Sequence, residues 1–513
     1  MTVPVFIVGA GPTGLVLALC LERLGIPFRI IDKTLEPGTT SRALVLHART
    51  LEFYRQLGIA DAVIDAAQKF AAVNLWVRGK ARARLQFGDM GATLSKYPYS
   101  LIFPQDQHER VLIDALQERG IRIERGMELT DIAFYDTSAL CTMRTADGNT
   151  GHCEALYVAG CDGAHSIVRA KMNIGFPGGT YSHTWYVADV DMTGPLTNGE
   201  VHISMDRRDV LAIFPMKEPG TARLIGQSPL EWNGQQIAWE DVNVRLVREL
   251  QSDVGNVRWF STYRVHHRVA DTFRGQRAFL VGDAAHVHSP VGGQGMNTGI
   301  GDAVNLAWKL ASVLRHESSD SLLDTYASER MTFARGLVKT TDAVFGMLNS
   351  RGFTAGIVRT AVIPTVLPAL MRSSAARRIA FRILSQTAIH YRNSRLSEGR
   401  AGAIYAGDRL PWVTVKDSND NFEPLNGMRR QVHVYGDVTV AVCALCNTRE
   451  IPLYVFPWQR DMRRAGLVKN ALYLVRPDGH IAFADPRGSA DSLKNYLDRP
   501  ERRDRQPQAG AAH

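Results

Sequence analysis

Cysteine is scarce in this chain: there are six in 513 residues, Cys20, Cys141, Cys153, Cys161, Cys443 and Cys446. That is too few for a disulfide framework at this length, and it makes a reducing, cytoplasmic compartment the default. No block of Lys or Arg interleaved with aromatics occurs, although the formal net charge is +9. The basic residues are spread along the sequence, which suits phosphate-bearing small ligands and argues against a nucleic-acid partner. The long uncharged run "VPVFIVGAGPTGLVLALC" (3–20) lacks the basic flank and small-residue cleavage site of a secretory signal. With 45% hydrophobic and 22% charged residues, the composition is that of an ordinary globular chain. Its length allows roughly two to four domains.

That uncharged run opens a recognisable unit. "VPVFIVGAGPTGLVLALCLERLGIPFRIID" reads as a hydrophobic strand, a glycine turn, a helix and a second strand ending in an acid. Gly9 permits the sharp turn, Gly11 lets backbone approach a pyrophosphate, and Gly14 lets the helix pack close to the sheet. Pro12 and Thr13 start the helix, whose free N–H groups and positive dipole end favour phosphate. Asp32 follows Gly14 at the spacing where a carboxylate accepts ribose hydroxyls. The unit fits a dinucleotide and does not separate FAD from NAD.

Two further strand-to-helix turns follow. In "ALYVAGCDGAHSIVRAKMNI" (155–174), Asp162 or Ser166 can cap the helix. In "RAFLVGDAAHVHSPVGGQGMNTGIGDAVNLAWKLA" (277–311), a Gly-Asp pair and a glycine-rich loop precede a long helix. His286 and His288 tempt a metal reading, but a zinc site wants further ligands, and "HHR" (266–268) is the only other local histidine cluster; no metal is expected. Backbone N–H groups of Gly293, Gln294, Gly295 and Met296 could stabilise an anion, and Asn297 can offer a donor and an acceptor.

The trio "GAGPTG", "CDGAHSIVR" and "GDAAHVHSPVGGQGMNTGIGDAVNLAWKL" resembles the single-component FAD-dependent aromatic hydroxylases, the group of para-hydroxybenzoate hydroxylase and phenol 2-monooxygenase. "SRALVLHARTLEFYRQLGI" (41–59), "FPQDQHERVLIDAL" (103–116) and "SQTAIHYRNSRLSEG" (385–399) extend the likeness, and "LYLVRPDGHIAFAD" (472–485) is similar to the thioredoxin-like C-terminal domain of larger members. The resemblance implies an α/β (α+β) fold. A Rossmann-like FAD-binding domain (1–74, 101–178, 265–345) would be interleaved with an antiparallel-sheet substrate domain (75–100, 179–264). A helical connector (346–399), a thioredoxin-like domain (400–500) and a disordered tail (501–513) would follow.

It also implies roles. Asp32, with Lys33 beside it, would bind the adenosine ribose. Arg42 would meet the pyrophosphate and the incoming NADPH or NADH, and Gln105 the ribityl chain. Asp162 would serve both cofactors, Asp283 would hold the ribityl hydroxyls, and Leu129 joins the cofactor-binding set. Pro290 would border the place where oxygen and substrate react. The implied enzyme consumes NAD(P)H and O2 and hydroxylates a phenolic or polycyclic aromatic substrate through a flavin C4a-hydroperoxide. Epoxidation, Baeyer–Villiger insertion, decarboxylative hydroxylation and a non-catalytic flavin-binding role are the alternatives. Tyr263, His266, His267 and His202 are candidates to deprotonate a substrate phenol. Ile213, Phe214 and Pro215 are candidates for the pocket wall, with Tyr181 and Trp185 at its edge.

Residues 346–399 read as helical and Arg-rich, interrupted by Pro364 and Pro368, so packing on the flavin domain is expected and membrane contact is not. Cys443 and Cys446 form a C-x-x-C without the Trp-Cys or Cys-Gly-Pro context of a redox centre. A monomer or homodimer is expected.

Overall fold

The computed structural model describes residues 2–38, 43–70, 72–86, 90–206, 209–231, 237–242, 245–349, 353–415 and 419–499. Arg42 and the 501–513 tail lie outside the described residues.

Strand Val3–Val8 is apolar on both sides and buried from Val5 onward, as a parallel strand covered on both faces must be. Burying a side chain such as Phe6 or Ile7 contributes about 1.5–3 kcal/mol. It pairs in parallel with Phe28–Asp32 on one side and Thr150–Gly160 on the other, and Ala278–Leu280 pairs in parallel with Thr150–Gly160. The sheet therefore brings Gly9, Asp32, Asp162 and Asp283 to the carboxyl ends of four neighbouring strands. Motifs spread over nearly 300 residues meet there because this is where open α/β sheets bind ligands. Helices Pro12–Arg23 and Gly295–Leu314 pack on each other against this sheet.

A second, eight-stranded sheet contains Ala72–Val77, Lys80–Gln86, Gly178–Thr193, Val201–Met205, Val210–Pro215, Thr221–Glu231, Asp253–Val269 and His286–Val287. It is antiparallel except where Val201–Met205 runs parallel to Ala72–Val77. The expected domain limits shift accordingly. Strand Ala72–Val77 straddles the boundary set at 74, and strand Asp253–Val269 runs past 264. One face of this sheet carries Val73, Leu75, Val201, Ile203, Phe214, Ile225 and Tyr263. The opposite face builds its own core from Leu211, Ile213, Leu224, Ala188 and Val190 under helix Arg245–Glu249.

The C-terminal module has four strands in the order Ile481–Asp485, Leu472–Val475, Gln431–Tyr435, Leu453–Phe456, extended at one edge by Glu398–Ala401 and Ile404–Tyr405. Gln431–Tyr435 and Leu453–Phe456 are parallel and joined through helix Val440–Thr448, while the other core pairs are antiparallel. This β-α-β-α-β-β-α arrangement is the expected thioredoxin-like one. Cys443 and Cys446 lie one turn apart within helix Val440–Thr448 rather than at its start. Cys446 packs in the module's core, and burial pushes its thiol up to about 11, the opposite of what thiolate chemistry needs.

Pro364 and Pro368 do not interrupt the connector. Pro364 occupies the first turn of helix Ile363–Leu370, directly after a π-turn at Val358–Val362, and Pro368 sits inside that helix.

Candidate active site

Gly9 has φ +102°, and a Cβ there would lie 2.4 Å from the Cys161 carbonyl oxygen. A Cβ on Gly14 would lie 2.0 Å from the Gly9 oxygen, so the first helical turn can press onto the strand only as glycine. Around Gly11, by contrast, a Cβ would meet nothing within 4 Å. That space fronts the uncapped start of helix Pro12–Arg23, whose first N–H groups have no intrahelical partner. At the end of its strand, Asp32 accepts from the Ala10 N–H at 2.7 Å and from the Thr34 N–H at 2.9 Å. Lys33 is exposed.

From Gly11, Pro12 and Thr13 a cavity of about 850 Å³ runs past Gln105, Gly163 and Asp283 to the loop Pro290–Met296 and on beneath the second sheet. The Asp283 carboxylate faces this cavity and is reached by solvent through it. The protein packed around the cavity, together with Asp302, raises its pKa despite the pull of His286. Asp162 stands behind the wall, its Oδ2 accepting from the Val168 N–H at 3.1 Å, and burial raises its pKa. Ser166 caps helix Ile167–Lys171 by accepting from the Arg169 N–H at 2.9 Å.

In the loop, Gly292 and Gly293 adopt φ +76° and +62°, and a Cβ on Gly293 would strike Val45 at 2.8 Å. Helix Gly295–Leu314 starts without a side-chain cap, leaving its first-turn N–H groups at the cavity. Two expectations change here. The Gly293 N–H is committed to the Pro290 oxygen at 3.0 Å. Asn297 is also fully committed: its amide donates to the Val45 and Gly293 oxygens at 2.8 and 2.9 Å, and its oxygen accepts from the His47 N–H and the Thr50 hydroxyl at 3.0 and 2.7 Å. Asn297 is buried and pins the loop to residues 45–50, so it has nothing left to offer a ring.

The histidines divide. His286 is buried against Asp302 at 2.7 Å, and Asp302 also accepts from the Gly282 N–H at 3.1 Å and from Arg330 at 2.5 Å. Burial disfavours ionised Asp302, but Arg330 and His286 outweigh it and hold the carboxyl below its usual value. His286 thus fixes the turn that presents Asp283. His288 reaches the cavity wall. Its Nδ1 donates to the Ser289 oxygen at 2.8 Å, which leaves a lone pair on a buried Nε2 that has no hydrogen-bond partner. Sequence reasoning weighed this residue only as a metal ligand and did not name His47, whose Nε2–H donates to the Gly292 oxygen at 2.8 Å and whose Nδ1 accepts from Ser100 at 3.2 Å. Burial lowers both rings to about 4.

Of the substrate-side candidates, Tyr263, Phe214 and Pro290 line the cavity. The others face elsewhere. His202 lies between Trp76 and Asn198 at 3.1 and 2.9 Å. Ile213 and Pro215 alternate away from Phe214, and His266 bonds Thr180 at 2.7 Å. Tyr181 donates to Asp342 at 2.6 Å, and Trp185 packs on Phe345 one layer behind the wall. His267 packs edge-on to Tyr181, and Leu129 is core. The wall that sequence reasoning did not name comes from strands Ala72–Val77 and Val201–Met205, and from Leu367, Phe381 and Leu384 of the connector. The alternation in "VHISM" carried the signal, because Val201 and Ile203 share the face opposite His202.

These features fit FAD: a crossing of strand and helix that excludes side chains, an open uncapped helix start, an acidic residue at the cavity, and a second helix start at the far end. The comparisons agree. A family model described as an FAD-binding domain matches residues 2–341. A 6-methylpretetramide 4-monooxygenase of Streptomyces rimosus is 35% identical over 96% of this chain and 92% of its own length. Pentachlorophenol 4-monooxygenase of Sphingobium chlorophenolicum is 31% identical over 79% of this chain and 75% of its own. Among solved structures, an anhydrotetracycline hydroxylase from Streptomyces rimosus is similar at 26% identity with TM-score 0.76, covering 97% of this chain and 98% of that one. The chain belongs to the FAD-binding class A flavin monooxygenases, in their aromatic hydroxylase group.

Proposed function

We propose that this monooxygenase hydroxylates an uncharged, polycyclic phenol. One observation carries the reading: among the described residues, the cavity wall beyond the flavin-facing loop is mainly aliphatic and aromatic, its polar groups there are uncharged, and it contains no Lys or Arg. A substrate carboxylate would be desolvated there with no cation to meet it, which costs several kcal/mol. A flat apolar ring system would instead gain about 25 cal/mol for each Å² it buries. Relatives named for tetracycline-type substrates support a substrate with several rings.

In this reading the N–H groups at the start of helix Pro12–Arg23 hold the pyrophosphate, and Asp32 takes the adenosine ribose. Asp283 takes the ribityl chain, and the first-turn N–H groups of helix Gly295–Leu314 stabilise charge at the ring edge. When bound, FAD would pass two electrons from a nicotinamide cofactor to O2, one oxygen atom going to the substrate and the other leaving as water. The protein orients the ring system between Phe214, Ile203 and the connector helices and excludes water around it. Tyr263 is the one phenol-deprotonation candidate from the sequence that reaches the cavity.

The test is substrate-stimulated NAD(P)H oxidation with product mass, comparing three- and four-ring neutral phenols with single-ring hydroxybenzoates. We expect the polycyclic phenols to accelerate oxidation and to gain one oxygen atom. Acceleration and oxygenation by the hydroxybenzoates alone would overturn the reading.

A further inference from the structure

Between Asp342 and Glu398 the chain contains no acidic residue, yet it contains eight arginines. Within that segment, helices Ile363–Leu370 and Ser374–Leu384 turn Leu367, Phe381 and Leu384 toward the cavity. Their other sides are bare. Eight of the twelve exposed large hydrophobic side chains among the described residues fall between Val344 and Ile383, and four of them, Val366, Leu370, Ile379 and Ile383, lie on these two helices. Single exposed apolar residues are normal on a protein surface, whereas this concentration marks a contact face. Arg378, Ile379, Arg382 and Ile383 recur at helical spacing and are all exposed, so cation and hydrocarbon share one stripe. Helix Ile363–Leu370 packs on the edge strand Lys80–Gln86, which adds exposed Lys80 and Arg82 beside it.

We propose that this face, the outer side of the two connector helices with the adjoining strand edge, docks onto an anionic lipid surface. The apolar side chains would enter the headgroup boundary while the arginines meet lipid phosphates. A second copy of the chain is a poor fit, because a two-fold contact would set the Arg378 and Arg382 stripe against itself, and the acid nearest to it, Asp408, is already paired with Arg392. The attachment is peripheral: among the described residues no helix is long and apolar enough to cross a membrane.

The experiment is co-sedimentation of the full-length, flavin-loaded protein with vesicles of phosphatidylcholine alone or mixed with phosphatidylglycerol. The protein should pellet with the anionic vesicles only and be released by salt. The double variant Arg378→Gln/Arg382→Gln should weaken partitioning roughly thirty-fold, at about a factor of five for each arginine near the surface. Ile379→Ser/Ile383→Ser should weaken it also at low salt. Retained flavin absorbance shows that both variants are folded. Failure to pellet with either vesicle, or equal pelleting with both, overturns the proposal. So does a dimer in light scattering that Ile379→Ser/Ile383→Ser dissolves without any vesicle binding.

Discussion

The cavity and the joint between the flavin-binding half and the C-terminal module are both interior regions, but they are made of opposite materials. The cavity's substrate side is mainly hydrocarbon, with isolated uncharged polar groups such as Tyr99, Ser100, Tyr263, Ser289 and His288. The joint is packed with charge. Glu329 accepts from Lys309 at 2.8 Å, from both terminal nitrogens of Arg476 at 2.8 and 2.9 Å, from Asn305 at 2.8 Å and from Ser394 at 2.6 Å. Arg476 also meets Asp478 at 2.6 Å, whose carbonyl accepts from Arg49 at 2.5 Å, and Arg49 pairs with Glu52 at 2.9 Å. Buried charge is tolerated where every partner is supplied by the chain itself, and is absent where a ligand must come and go. The joint also reaches the site, since Asn305 and Lys309 belong to helix Gly295–Leu314, whose first turn faces the cavity. The thioredoxin-like module thus braces the far end of the helix whose first turn faces the cavity.

The comparison breaks most visibly at Arg476. Arg476→Met leaves Glu329 and Asp478 buried with too few donors, and losing one partner of a buried ion network costs about 3–5 kcal/mol. Denaturant unfolding should show that loss, while activity per bound flavin stays near wild type. Unfolding indistinguishable from wild type would mean that the network contributes nothing to holding the module in place.

Acid should give the next largest effect per residue, and two of the rings that carry it lie on the cavity side. His47 and His288 are neutral and lowered to about 4 by burial, against 6.5 in the unfolded chain. Between those values the unfolded state binds more protons than the folded one. The stability these rings contribute is therefore complete above about pH 6.5 and is lost as the pH falls toward 4. Each ring accounts for about 2 kcal/mol of loss between roughly pH 7 and 5. Burial lowers His108 and His433 to about 3, which adds to the same trend. Melting temperatures should decline steadily across this window and should decline less in His47→Gln. A flat profile would contradict the buried, neutral assignment.

Legibility in the sequence followed distance. The strand, glycine turn, helix and acid at 3–32 were readable because they follow one another within a single short segment, even though the strand also pairs with Thr150–Gly160 and Gly9 abuts Cys161. The C-terminal topology and the three cofactor motifs were readable through family likeness. Asn297 was misread because the groups that consume its hydrogen bonds lie some 250 residues away, at Val45, His47 and Thr50. His202 was misread for want of strand parity, which depends on the register of Val201–Met205 against Ala72–Val77. Glu329 and Arg476 gave no signal at all, since isolated charges 147 residues apart look like surface until the fold closes on them.

The smallest effect sharpens the apolar side of the comparison. Tyr263 stands on strand Asp253–Val269 opposite Trp185, its ring in the cavity wall. Tyr263→Phe keeps the ring and removes only the hydroxyl, so flavin content should not move. If the hydroxyl meets the substrate's phenol, kcat/KM should fall by about five-fold, the worth of one hydrogen bond of about 1 kcal/mol. The loss should shrink for a substrate analogue whose hydroxyl is methylated, because that analogue has no proton to give. Equal losses with both substrates would place the Tyr263 hydroxyl in the wall's packing rather than in contact with the reacting ring.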